Sequence, residues 1–219
     1  MQQTFQERLD TVNDELVEMT RLVGSAMNRA TQALLDADLT MAESVIAADA
    51  RIDIITSDLE DQCFDLIAQE APATGDLRVV IGALRIAASL ERMGDLAEHV
   101  AKQARLRYPR PSIPQELRGT FAQMGGLAEA IVSKTGAVIA TQDVSLTADI
   151  ARHDAQVDAL HRELFTIVLS PSWSHGVEAA IDVTLLSRYY ERYADHAVSV
   201  TRRVVTIVTG APYVGVTLD

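Results

Sequence analysis

From Phe5 the apolar residues of this sequence fall at Phe5, Leu9, Val12, Leu16, Met19, Val23, Met27, Ala30 and Leu34. Steps of three and four place them along one stripe of an α-helix. A helix reaching Ala37 is roughly 50 Å long at 1.5 Å per residue. Asp38 then offers a turn or an N-cap for a second segment, about Leu39 to Glu70, with Val45, Ile52, Ile55, Leu59, Cys63, Leu66 and Ile67 inward. Ala71-Pro72-Ala73-Thr74-Gly75-Asp76 breaks it. A third segment runs from about Leu77 to Arg107. Residues 108–114 hold three of the six prolines and read as a linker, because proline donates no backbone hydrogen bond and disfavours helix before it. Three further segments follow, about Pro114–Gln142, Val144–Leu169 and Val177–Thr209, with a break at 170–176 and Gly210 closing the last.

The two halves are copies. A shift of 105 residues lays Asp38, Val45, Asp49, Ile52 and Asp53 on Asp143, Ile150, Asp154, Val157 and Asp158. A shift of 100 lays Glu91-Arg92-Met93-Gly94-Asp95-Leu96-Ala97 on Glu191-Arg192-Tyr193-Ala194-Asp195-His196-Ala197. Polar residues repeat along with apolar ones, which is more than two amphipathic helices share by chance. The expected fold is all-α: two pseudo-symmetric three-helix bundles. The first repeat occupies 1–107, the linker 108–114, the second repeat 115–210 and a tail 211–219.

Charge and composition narrow the function. The 219 residues carry 19 Lys+Arg against 31 Asp+Glu, a formal net charge of −12. That excludes the basic footprint that nucleic acid and anionic membranes require, and suits metal cations or a basic partner. A lone Cys63 forms no internal disulfide. The opening residues carry Glu7, Arg8 and Asp10 where a signal peptide needs an apolar core. No apolar run reaches the roughly 20 residues of a spanning helix, so the expectation is a cytoplasmic protein without membrane insertion.

The candidate chemistry lies in four acidic pairs at i, i+4 spacing: Asp49/Asp53, Glu91/Asp95, Asp154/Asp158 and Glu191/Asp195. Like charges at that spacing share a helix face and repel by a few tenths of a kcal/mol. If the helices carrying each repeat's two pairs pack together, four carboxylates converge into an all-oxygen site for hard cations such as Mg, Mn or Fe. The competing reading is a solvated acidic face, neutralised by Arg92 and Arg192. His99 extends the first face and Ser199 stands in its place in the second repeat; both histidines nearby, His99 and His196, read more simply as ordinary polar residues. His161, three residues after Asp158, has a ligand-like spacing. Tyr189, Tyr190 and Tyr193 read as packing, and Trp173 as a cap on the bundle end. Walker loops, nucleophile elbows and a repeated Glu-x-x-His are all missing from the sequence, so nothing in it argues for catalysis.

Asp49-x-x-Ile52-Asp53, Asp154-x-x-Val157-Asp158 and the two Glu-Arg-x-Gly/Ala-Asp-x-Ala segments, taken together over about residues 5 to 209, resemble the PhoU family of bacterial phosphate-transport regulators. The resemblance implies divalent or multinuclear metal ions (Fe, Mn, Mg or Zn) held by Asp49, Asp53, Glu91 and Asp95 and by Asp154, Asp158, Glu191 and Asp195. The family has Asn four residues after the motif Asp; His99 and Ser199 stand there and are the candidates for additional ligands. It implies a dimeric cytoplasmic adaptor between the ATPase subunit of the phosphate ABC transporter and the phosphate-sensing histidine kinase, holding the phosphate-starvation response off. Two other classes fit the residues: a carboxylate-bridged metalloenzyme, or a metal-free dimeric helical scaffold.

Overall fold

The computed structural model describes residues 4–70 and 72–211, and within them the chain is built from six long helices. They are α1 (Phe5–Asp36), α2 (Leu39–Glu70), α3 (Thr74–Arg107), α4 (Arg118–Thr141), α5 (Thr147–Val168) and α6 (Gly176–Thr209). Single 3₁₀ turns at Gln115–Leu117 and Val144–Leu146 lead into α4 and α5. The tail beyond Ala211 lies outside the described residues.

The local signals explain the boundaries. Thr4 and Glu7 form a reciprocal capping box: the Thr4 hydroxyl accepts from the Glu7 amide at 3.2 Å, and Glu7 Oε2 accepts from the Thr4 amide at 2.7 Å. Asp38 Oδ1 accepts from the Met41 amide at 2.9 Å, so it caps α2. Its repeat partner Asp143 accepts from the Ser145 amide at 2.9 Å. Gly210 takes the left-handed conformation that closes α6. Three starts differ from the sequence expectation: α4 begins at Arg118 and not about Pro114, α5 at Thr147 and not about Val144, each behind its 3₁₀ turn, and α3 starts at Thr74, not Leu77. Thr74-Gly75-Asp76 form its first turn, where the Asp76 carboxylate complements the positive helix end. The linker also packs: Ile113 and Ser112 are buried, and Ser112 Oγ donates to the Gln103 carbonyl at 3.0 Å.

Within each repeat three helices pack together, and the repeats join through their first and third helices. α1 packs on α4 and α3 on α6, so α1, α3, α4 and α6 surround one continuous core. α2 lies outside against α1 and α3, and α5 outside against α4 and α6. The α1 stripe is buried from Leu9 to Leu34. The α1–α4 approach is close because Gly125 faces Thr31: a methyl group there would lie 2.6 Å from Thr31 Cγ2. Tyr190 and Tyr193 reach across this core from α6 to α1. The Tyr190 hydroxyl shares a hydrogen bond with Thr31 Oγ1 at 2.8 Å, and the Tyr193 hydroxyl donates to the Val23 carbonyl at 3.2 Å. Their role is packing, and Trp173 does cover the bundle end, its Nε1 donating to the Gly176 carbonyl at 2.8 Å.

Candidate functional site

The packing of α2 on α3 and of α5 on α6 creates two equivalent acidic seams. In the first, Asp49 and Asp53 of α2 face Glu91 and Asp95 of α3. The Asp49 carboxyl is pushed up to about 6, first by burial, then by Glu98, Asp53 and Asp95. Glu91 is raised by burial and by Asp95, with Asp53 adding from across the seam. Gly94 makes the approach possible: a methyl there would lie 2.9 Å from Ile52 Cδ1 and 3.0 Å from Asp49 Oδ1.

The second seam repeats the electrostatics. Asp154 is pushed up to about 6 by burial, then by Asp158 and Asp195. Glu191 is raised by burial and Asp195, with Asp158 adding from α5. Two oxygens here, Asp154 Oδ1 and Glu191 Oε2, are buried and have no hydrogen-bond partner among the described residues. A buried carboxylate oxygen without a donor is costly, and a cation relieves both that cost and the repulsion between neighbours. The donor set is therefore chemically suited to a hard divalent ion. Among the described residues, however, no three His, Cys, Asp or Glu side chains are gathered closely enough to enclose one ion. The eight carboxylates are brought to two shared seams without forming closed coordination spheres.

Arginines occupy part of each seam, as the competing reading anticipates. Arg92 pairs with Asp95 at 2.6 Å and with Glu91 at 3.4 Å, while remaining largely exposed. In the second seam the partner is Arg188, which pairs with Glu191, in place of the expected Arg192, which lowers Glu191 only through space. His99 does not face α2. Its Nδ1 lies 2.5 Å from the Asp95 carbonyl and its ring packs on Tyr189 of α6 at 5.3 Å. Ser199 is half-buried on α6. His161 is taken up by Ser187 Oγ at 2.9 Å and by the edge of Phe165. Burial pushes its pKa down, as it does that of His196.

The sequence reading missed three contributors. Glu98 adds to the repulsion on Asp49, and it forms an ion pair with Lys102, which lowers Asp49. Arg202 plays the same part for Asp154. The signal was available: the shift of 100 that aligns Asp95 with Asp195 also lays Lys102 on Arg202.

The comparisons with known proteins agree with this architecture. The PhoU domain family model matches residues 16–104 and again 121–204, one match per repeat. The phosphate-specific transport system accessory protein PhoU homolog 2 of Mycobacterium tuberculosis is 46% identical over 96% of this chain and 99% of its own length. PhoU homolog 1 of Mycobacterium leprae is 44% identical over 96% of this chain and 95% of its own. The crystal structure of PhoU from Pseudomonas aeruginosa superposes with a TM-score of 0.83 at 27% identity, covering 95% of this chain and all of that one. That of the phosphate transport system regulatory protein PhoU from Streptococcus pneumoniae also gives 0.83 at 27% identity, over 96% of this chain. Two family matches that fall on two repeats of the same three-helix unit place the chain in the PhoU family.

Proposed function

We propose that the chain is an accessory protein of phosphate transport that represses the phosphate-starvation response. The observation that carries this reading is near full-length similarity to proteins named for the phosphate-specific transport system. It works in the cytoplasm as a dimeric adaptor between the transporter's ATPase subunit and the phosphate-sensing histidine kinase, by binding and not by catalysis. Among the described residues no helix is long and apolar enough to cross a membrane, so contact with the transporter is made from outside the bilayer. Binding shifts the kinase between signalling states only to the extent that the adaptor prefers one of them.

Asp49, Asp53, Glu91 and Asp95 would hold divalent cations at one seam, and Asp154, Asp158, Glu191 and Asp195 at the other. Ser199 is the candidate for a further ligand; His99 is not, because its ring turns onto Tyr189 of α6. A bound cation supplies positive charge that cancels carboxylate repulsion; it is a structural element of the face presented to the partner. The raised Asp49 and Asp154 carboxyls support this role, because a group that resists ionisation alone gains most from a cation beside it.

The test is alkaline phosphatase activity in phosphate-rich medium after deletion of the gene, alone and together with any paralogue. Constitutive activity, returned to repression by the plasmid-borne gene, supports the reading. Unchanged activity in the multiple deletion contradicts it.

A further inference from the structure

The two ends of the α3–α6 contact are related by the repeat, and they differ in charge. At one end Arg107 of α3 holds Asp182 of α6 through Nε at 2.6 Å and Nη2 at 2.9 Å, and also pairs with Glu178. A shift of 100 residues maps Glu178, Asp182 and Arg107 onto Arg78, Gly82 and Ile207. At that second end both acids are gone and the cation has been replaced by an apolar side chain that packs on Gly82. Arg78, Arg85 and Arg203 are left lining an open groove of about 370 Å³, with Thr206 beside them. No carboxylate among the described residues pairs with any of the three. Such a cluster is exceptional in a chain of net charge −12.

We propose that this groove between α3 and α6 binds a small multivalent oxyanion of the phosphate class through Arg78, Arg85 and Arg203. Two of the guanidiniums are already positioned. Arg203 Nη1 donates to Ser89 Oγ at 3.1 Å, and Arg78 Nη1 donates to the Gly210 carbonyl at 3.3 Å. Each has further N–H donors unspent, in a fork that matches phosphoryl oxygens. Burial and the neighbouring Arg85 disfavour the charge on Arg203, a cost that an anion between them removes. Arg78 and Arg85 stand seven residues apart, about 10 Å along the helix, a span that their long side chains close onto one or two phosphoryl groups. The proposal does not rest on the acidic seams or on the regulatory reading.

Isothermal titration of the full chain, treated with chelator so that no metal captures phosphate, tests it with inorganic phosphate and with pyrophosphate. The expected result is saturable binding of one anion per chain, weakened about tenfold or more in Arg85→Gln/Arg203→Gln. Tighter pyrophosphate identifies a diphosphate ligand, and phosphate binding as tight or tighter identifies the free ion. Arg21→Gln/Arg152→Gln removes the same charge elsewhere and is expected to bind as wild type. The exposed Arg85→Gln alone, expected to weaken binding in the same direction, serves if the double variant loses helicity. The proposal is overturned by no saturable binding up to about 10 mM of either anion, a concentration that reveals even millimolar affinity. Binding unaffected by the groove substitutions, or weakened equally by the control pair, overturns it too.

Discussion

Arg107 at the end of α3 holds the buried carboxylate of Asp182 in α6 with two parallel hydrogen bonds, and so ties the first repeat to the second. Asp182 is only 4% exposed, so Arg107 takes the place of water as its hydrogen-bond partner. Arg107→Ala leaves the carboxylate buried and unpaired. It is expected to lower the melting temperature by on the order of 5 °C or more, and by more than Asp182→Leu, which removes the buried charge. Thermal unfolding by circular dichroism ranks the two; the reverse order would show that Asp182 reaches water without Arg107.

The acidic seams give the metal-free chain an unusual pH dependence. The Asp49 and Asp154 carboxyls stand at about 6 in the folded chain against an ordinary 3.8. A raised folded pKa means that protons favour the fold: the contribution is fully present below about pH 4 and is lost as pH rises through 6. In chelator, the melting temperature is therefore expected to fall between pH 4.5 and 6.5 for these two sites. Asp49→Asn or Asp154→Asn flattens the slope and raises the melting temperature at pH 7. Divalent cation added at pH 7 stabilises the wild type most and each single variant less, through the seam it keeps intact, and its affinity weakens as pH drops through 6. Asparagine variants no more stable than wild type in chelator at pH 7 would contradict this.

Gly94 tests the seam's geometry. Gly94→Val drives side-chain atoms into Ile52 and Asp49 and is expected to cost about 1–3 kcal/mol in denaturant unfolding. Gly94→Ala is the milder case, since the second repeat carries Ala194 at the matching place. Equal stability of Gly94→Val and wild type would mean that α2 and α3 approach less closely than described.

Tyr190 separates packing from hydrogen bonding at the join between repeats. Tyr190→Phe removes only the bond to Thr31, whose hydroxyl still donates to the Met27 carbonyl. The cost is expected near 1 kcal/mol. Tyr190→Ala also empties a fully buried ring site and is expected to cost about 3–5 kcal/mol. Similar losses in the two variants would argue against a tightly packed centre.

Much of this was legible in the residues. The α1 stripe, the Asp38 and Asp143 caps, and the duplicated acidic pairs follow from local periodicity and from a repeat that preserved polar positions. The start of α3 was hidden because Thr74-Gly75-Asp76 reads as a breaker, and only packing further along the helix decides that it forms a first turn. The join between repeats was hidden for a different reason. A stripe defines which face of a helix is buried but not which helix covers it, so the Tyr190–Thr31 and Arg107–Asp182 contacts, 159 and 75 residues apart, carry no local signal. The seam itself was legible as far as charge. Glu98 and Lys102 were missed because an ordinary i, i+4 ion pair looks like solvated surface until α2 is laid against it.

The most direct test of the metal account is the metal content of the chain, purified without chelator, by inductively coupled plasma mass spectrometry. Wild type is compared with Asp49→Asn/Glu91→Gln/Asp95→Asn and with Asp154→Asn/Glu191→Gln/Asp195→Asn. The account predicts stoichiometric divalent metal in the wild type, reduced by each triple variant while helicity is kept. Wild-type protein without metal, or content unchanged in both variants, would contradict it.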